Sequence, residues 1–279
     1  MIVGDLYYRL LAERKAARRH QSLVDSAEAL RGAVALELGG PSALFGRLGL
    51  CPVYPRLGSL DVLDYSEQTI WSAADPGGIE PRRRIIGEAG SIDAVADASY
   101  DAVLASHVLE HIANPLGALA EWQRVVRRGG YLLLVLPHRD GTFDHRRPVT
   151  SIEHMRADRL NEVGEDDLTH LEEVLALHDL ERDPGAPGRA GFEQRCRENL
   201  STRAMHHHVF DTESAFQMCR AADLEVLTLH PELPHDILCL CSAGGGQRPP
   251  LGEQDLNDVL ARSPFDSDRR AVGRDRGTV

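Results

Sequence analysis

The sequence predicts an α/β fold, with a seven-stranded, mostly parallel sheet, helices on both faces and a long insert after the fifth strand. Three observations predict it. The stretch from Ala33 to Ser42, AVALELGGPS, runs from an apolar segment through an acid, Glu37, into a tight turn at Gly39-Gly40. An apolar run ending in a glycine turn is how a central parallel strand delivers its carboxyl end to a ligand, and glycine lets backbone approach closely. Further apolar runs follow in order, most of them ending in polar residues: 58–64, 85–88, 100–107 and 131–137. Amphipathic segments of helical spacing precede the first run and separate the fourth from the fifth, as expected of a parallel sheet crossed by helices.

Taken in order, residues 5–31 carry a helical stripe of Leu6, Leu10, Leu11, Val24, Ala27 and Leu30, closed by Gly32. This N-terminal cap, residues 1–32, either covers a ligand or packs on the sheet. Strand one spans 33–38, and residues 44–54 read as a loop broken by Pro52 and Pro55. Strand two lies near 58–63 and ends in an acid, Asp64, with Asp61 as the alternative. An acid at that position can accept hydrogen bonds from both hydroxyls of a ribose. Strand four is 100–106, and Asn114-Pro115 opens an amphipathic helix through Val125 that Arg127-Arg128-Gly129-Gly130 closes. Strand five, 131–136, is apolar throughout, as a strand buried on both faces should be. Residues 138–205 are polar and histidine-rich with little strand signal, and read as a long insert at the sheet's carboxyl edge. Residues 206–243 return to the core: Asp211 or Thr212 caps a helix to about Ala222, and two antiparallel strands follow at 224–229 and 236–241. Residues 244–279 read as a flexible tail without a core of its own, holding a weak helix at 251–262.

The chain has 279 residues, 42% hydrophobic content and a net charge of −12. That supports one large domain and argues against nucleic acid as a partner, because phosphate binding needs clustered Lys and Arg. Five cysteines lack disulfide or zinc spacing. No leader or membrane-length apolar run is read, so the expected location is the cytoplasm, without membrane partners. A homodimer is compatible with this.

The ordered motif set resembles the class I S-adenosylmethionine-dependent methyltransferases over residues 30–138 and again over 206–243. The blocks GGPS, PVYP, LEHIANP, FDHRRPVT, DLTHLEE and HHHVFD resemble a bacterial group of methyltransferase type 11-like proteins, nearly to residue 243. The resemblance implies a Rossmann-like core at 33–137, a substrate lid in the insert at 138–205 and S-adenosyl-L-methionine as cofactor. It implies a cofactor site of Glu37, Gly39, Gly40, Ser42, Asp64, Glu88, Ala89 and Ser106. Asp64 would take the ribose, and Glu88 with Ala89 the adenine edge. One departure stands out: Pro41 and Ala43 replace the second and third glycines of the family's glycine loop.

Chemistry at the acceptor is read from polar side chains around the sheet's carboxyl edge and the insert. His107, which leaves strand four, is a candidate general base, since imidazole titrates near neutral pH. His145, His170 and His206 are further catalytic candidates. His138, Arg146, Arg147 and His208 are candidates for substrate binding, the arginines as clamps for a carboxylate or phosphate. In an extended segment His206 and His208 would share a face opposite His207. With His145 or His170 they could hold a metal, but the ligands come from distant segments and no metal site is expected. The expected activity is biosynthetic methyl transfer to an oxygen or nitrogen of a small molecule, such as a sugar or specialised metabolite. Two alternatives are cleavage or cyclisation of the cofactor's aminobutyrate chain to give methylthioadenosine, and cofactor binding without catalysis.

Overall fold

The computed structural model describes residues 19–69, 78–245 and 248–272. Among these, seven strands form one sheet in the order β3-β2-β1-β4-β5-β7-β6. They are β1 (Val34–Leu38), β2 (Ser59–Asp64), β3 (Arg83–Ile86), β4 (Tyr100–Ser106), β5 (Val126–Pro137), β6 (Glu225–Glu232) and β7 (Asp236–Ser242). The first five run parallel, and β7 pairs antiparallel with both β5 and β6.

Alternation along each strand splits the core in two. Leu36, Leu38, Val103, Ala105, Leu132 and Leu134 face one layer, with α2 (Pro115–Val125) and its buried Leu119 and Trp122. Ala35, Ala102, Leu104, Leu133 and Val135 face the other, against α1 (Gln21–Ala29) through Leu23 and Ala27. So the described part of the N-terminal helix packs on the sheet. It begins at Gln21, with His20 as its N-cap; Leu6, Leu10 and Leu11 of the expected stripe lie outside the described residues.

Strand boundaries follow the sequence within a residue or two, except at β5, which starts at Val126, and β6, which continues to Glu232. Arg127–Gly130 form an irregularity in the pairing between Tyr100 and Ala102, with Gly129 in the left-handed region. The insert between β5 and β6 is helical. It carries α3 (Ile152–Leu160), α4 (Leu171–Leu177) and α5 (Gly188–Arg197), with a small apolar core of Leu171, Val174, Leu175, Phe192, Cys196 and Met205. Helix α6 (Thr212–Ala221) follows, opened by an Asp211–Ser214 capping box.

For the described residues 248–272 the reading of a flexible tail without a core does not hold, although the helix read at 251–262 is present. Helix α7 (Glu253–Arg262) buries Leu256 and Leu260 completely in the main core. Helix α8 (Asp266–Ala271) sends Asp268 into a buried network with His138, Thr212 and Ser263. A polar composition hid two leucines one helical turn apart, and that spacing suffices to dock a short helix.

Candidate active site

Register sets the carboxyl edge of the parallel strands. Leu38 of β1 lies opposite Leu63 of β2 and Ala105 of β4, and Asp64 lies opposite Ile86 of β3. Gly39, Asp64, Gly87-Glu88 and Ser106 therefore stand in one row across four neighbouring strands. In an open α/β sheet this edge is where ligands bind.

The turn after β1 is built from beneath. Glu37 is fully buried, and its carboxyl accepts from the Tyr54 hydroxyl at 2.7 Å and the Ser42 amide at 2.9 Å. Burial pushes its pKa up to about 8, against the pull of the Tyr54 and Ser42 bonds. A Cβ on Gly40 would fall 2.3 Å from the Glu37 carboxyl carbon, so only glycine fits over this brace. Gly39 has φ +65°, is exposed, and leaves no room for a Cβ because Val108 Cγ2 would lie 2.9 Å away. Ser42 donates to the Ser106 hydroxyl at 3.2 Å, joining this turn to the end of β4. Glu37 thus holds the turn from inside the protein and offers no surface to a ligand.

Asp64 is half-buried, and burial raises its pKa while the Tyr65 amide and Arg84 oppose. Asp61, the alternative, is sealed in a pair with Arg82 and Tyr100, which leaves Asp64 as the acid at this edge. After β3, the Ala89 carbonyl accepts from the Trp122 indole at 2.7 Å, which fixes the Glu88-Ala89 loop. Glu88 is exposed and accepts from Arg203 of the insert at 2.7 Å. Arg203 also lies over the Tyr65 ring, whose hydroxyl donates to the Thr202 carbonyl. The end of the insert therefore rests on the loops after β2 and β3.

Beyond β4 the edge becomes rich in titratable groups. His107 has φ +54°, and its Nε2 lies 2.9 Å from Asp236 Oδ1 at the start of β7. Burial pushes the His107 pKa down, but the bond to Asp236 and the charges of Glu110 and Asp236 outweigh it and the net direction is up. Glu110 and His111 occupy the short turn Leu109–His111 that follows.

A family model described as a methyltransferase domain matches residues 49–134, which span β2 to most of β5. The chain is also 35% identical over 264 residues to an uncharacterized 37.1 kDa protein in transposon TN4556 of Streptomyces fradiae, covering 93% of this chain and 67% of that protein. The chain belongs to the class I S-adenosylmethionine-dependent methyltransferases. Its cofactor is S-adenosylmethionine. Solved structures similar to this methyltransferase include a SAM-dependent methyltransferase from Aquifex aeolicus, with 12% identity, 82% of this chain and 95% of that chain covered, and a TM-score of 0.42. Another, an S-adenosylmethionine-dependent methyltransferase from Mesorhizobium loti, has 12% identity, 80% and 96% coverage, and a TM-score of 0.44.

The other residues expected at the methyltransferase site are dispersed. His138 is fully buried, stacked on Phe265 and bonded to Asp268 at 3.0 Å, so it is a core residue and not a substrate ligand. Arg147 is equally enclosed, donating to Asp144, Glu173 and the His206 carbonyl, which leaves nothing for a substrate anion. Arg146 is exposed and shares Asp179 with His145. His170 bonds to His154 at 3.1 Å on the insert. His206 bonds to Asp144 at 2.6 Å, and His208 is buried on the Ala113 carbonyl. The 206–208 backbone is irregular, with both the His207 and His208 amides donating to the Glu110 carbonyl. His207 and His208 both neighbour His170 while His206 turns toward His111, so the alternation expected of an extended segment is not observed. Sequence reasoning missed Asp236, Asp144 and Tyr54, whose roles exist only through contacts between distant segments.

Proposed function

We propose that this methyltransferase binds the cofactor along Gly39, Gly40, Ser42, Asp64, Glu88, Ala89 and Ser106. It acts on an oxygen or nitrogen of a small molecule, such as a sugar or specialised metabolite, with residues 138–205 as the lid. The observation that carries this reading is the His107–Asp236 pair directly beyond the cofactor row. S-adenosylmethionine supplies an electrophilic methyl group on a sulfonium. What remains for the chain is to align the acceptor, exclude water and take a proton.

The exposed backbone at Gly39 and the row from Asp64 to Ser106 suit a nucleoside with an amino-acid arm. Asp64 accepts from ribose hydroxyls. The Glu88 carboxylate takes the adenine amino group, sharing or exchanging its bond to Arg203. His107, with Nε2–H donating to Asp236, presents Nδ1 to the acceptor and removes the proton as the nucleophile attacks. Asp236 fixes that tautomer and stabilises the imidazolium. Against burial, Asp236 and Glu110 raise the His107 pKa, which makes the neutral imidazole a stronger base. The lid, resting on Tyr65 and Glu88, closes the edge over the nucleoside.

The test begins with S-adenosylmethionine alone and mass spectrometry of the products. Intact cofactor without an acceptor, and adenosylhomocysteine once an acceptor from a hydroxylated or aminated metabolite library is present, is the expected result. Methylthioadenosine formed without acceptor would overturn methyl transfer in favour of cyclisation or cleavage. His107→Gln should lower kcat about 10²–10⁴-fold while cofactor affinity, read by calorimetry, stays within a few-fold.

A further inference from the structure

We infer that Glu110, His111 and His206 form a binding site for one divalent transition-metal ion. The first observation is the state of Glu110. Its side chain is 1% exposed, and among the described residues neither carboxylate oxygen has a hydrogen-bond partner. A buried polar group without a partner costs free energy comparable to several lost hydrogen bonds, and an ionised one costs more. The protein keeps this group beside two imidazoles: ligand atoms of Glu110, His111 and His206 all lie within 4.8 Å of one another. His111 Nε2 is 3.9 Å from Glu110 Oε1, outside hydrogen-bond range. The two rings meet edge to face, with centroids 4.5 Å apart. Donors on one tetrahedral ion stand roughly 3.4 Å apart, so small side-chain rotations would bring the three together.

The second observation is how the rings are held. His206 Nδ1 lies 2.6 Å from Asp144, which Arg147 fixes in turn. His111 Nδ1 faces the Met205 carbonyl at 3.3 Å. A carboxylate on one imidazole and a backbone carbonyl on the other are the partners that orient metal-ligating histidines and direct the opposite nitrogen at the ion. The third observation is how the chain brings the residues together. The Glu110 carbonyl accepts from the His207 and His208 amides, which pins the segment carrying His206 to the turn carrying Glu110 and His111.

Two imidazoles and one carboxylate select a borderline ion such as Zn²⁺, Co²⁺ or Fe²⁺. Mg²⁺ and Ca²⁺ prefer all-oxygen sites. Three protein ligands leave a position open for water or substrate. The site adjoins His107, where the acceptor is proposed to sit, so an acceptor oxygen on the ion would be made more acidic. That role rests on the methyl-transfer reading; uptake of the ion does not.

The experiment uses the full chain stripped with a chelator. Co²⁺ alone is titrated while visible d–d absorption is followed, and Zn²⁺ alone is titrated against a chromogenic chelator. One ion per chain, with no competition from Mg²⁺, is expected. Glu110→Gln and His206→Asn should each weaken Zn²⁺ binding at least about 100-fold, and Asp144→Asn about 10–100-fold. Circular dichroism and S-adenosylmethionine calorimetry check that each variant is folded. Should Glu110→Gln fail to fold, His111→Gln replaces it. No stoichiometric uptake by wild type, or uptake that these substitutions leave unchanged, would overturn the site. A chain that takes up Zn²⁺ yet methylates no acceptor would overturn only the methyl-transfer reading.

Discussion

At the scale of single residues, Glu37 shows how a side chain can shape a site it does not touch. Its folded pKa of about 8 lies above the ordinary carboxyl value of 4.5. The folded state therefore holds the proton more tightly than the unfolded chain. The resulting stability is fully present below about pH 4.5 and is lost as pH rises through 8. Chemical denaturation at pH 6 and pH 9 should show wild type losing on the order of a few kcal/mol at the higher pH. Glu37→Gln should flatten that dependence. Gly40→Ala, whose Cβ would meet the Glu37 carboxyl, should weaken S-adenosylmethionine binding at least about 10-fold by calorimetry, because backbone and brace cannot both keep their places. The position of Gly39, Asp64 and Ser106 at the sheet's carboxyl edge was legible in the sequence, because each directly follows or ends a buried apolar strand. The purpose of Glu37 was not legible, since its partner Tyr54 lies beyond a loop whose path no local pattern specifies.

At the scale of elements, the central strands were readable because burial on both faces leaves continuous apolar runs such as 131–136. The helix α7 was underestimated for the converse reason. It is short and mostly charged, and its two buried leucines acquire meaning only against β6 and α6. Leu256→Ala should cost about 2–5 kcal/mol in urea unfolding, as for any fully enclosed leucine. An outcome within 0.5 kcal/mol of wild type, about what a surface position gives, would contradict the docking. Arg203 makes a different kind of contact, half at the surface, with Glu88 and the Tyr65 ring. Arg203→Ala should change stability by less than about 1 kcal/mol. It should speed S-adenosylmethionine release in stopped-flow fluorescence, because the insert loses its hold on the loops after β2 and β3.

At the scale of the molecule, a net charge of −12 sets which partners approach. Duplex DNA should show no retardation by this protein in gel shifts at about 0.1 M salt, where surface charges still act over roughly 10 Å. Among the described residues no helix is long and apolar enough to cross a membrane. The architecture was legible as a whole because the order of apolar runs and acidic endings constrains topology more tightly than any one motif. The convergence of histidines was not, since His206 meets His111 only through backbone bonds spanning nearly a hundred residues.

The antiparallel placement of β7 has a consequence for when the enzyme comes into being. Because that strand runs against its neighbours, its first residue, Asp236, arrives at the edge where the parallel strands end, opposite Pro137. His107, the proposed base, is synthesised 129 residues ahead of its partner Asp236. Further along still, Asp268 closes over His138. During synthesis the strands β1 to β5 therefore precede the segment that completes the His107–Asp236 pair, and that pair forms only once β7 has been added beside β5.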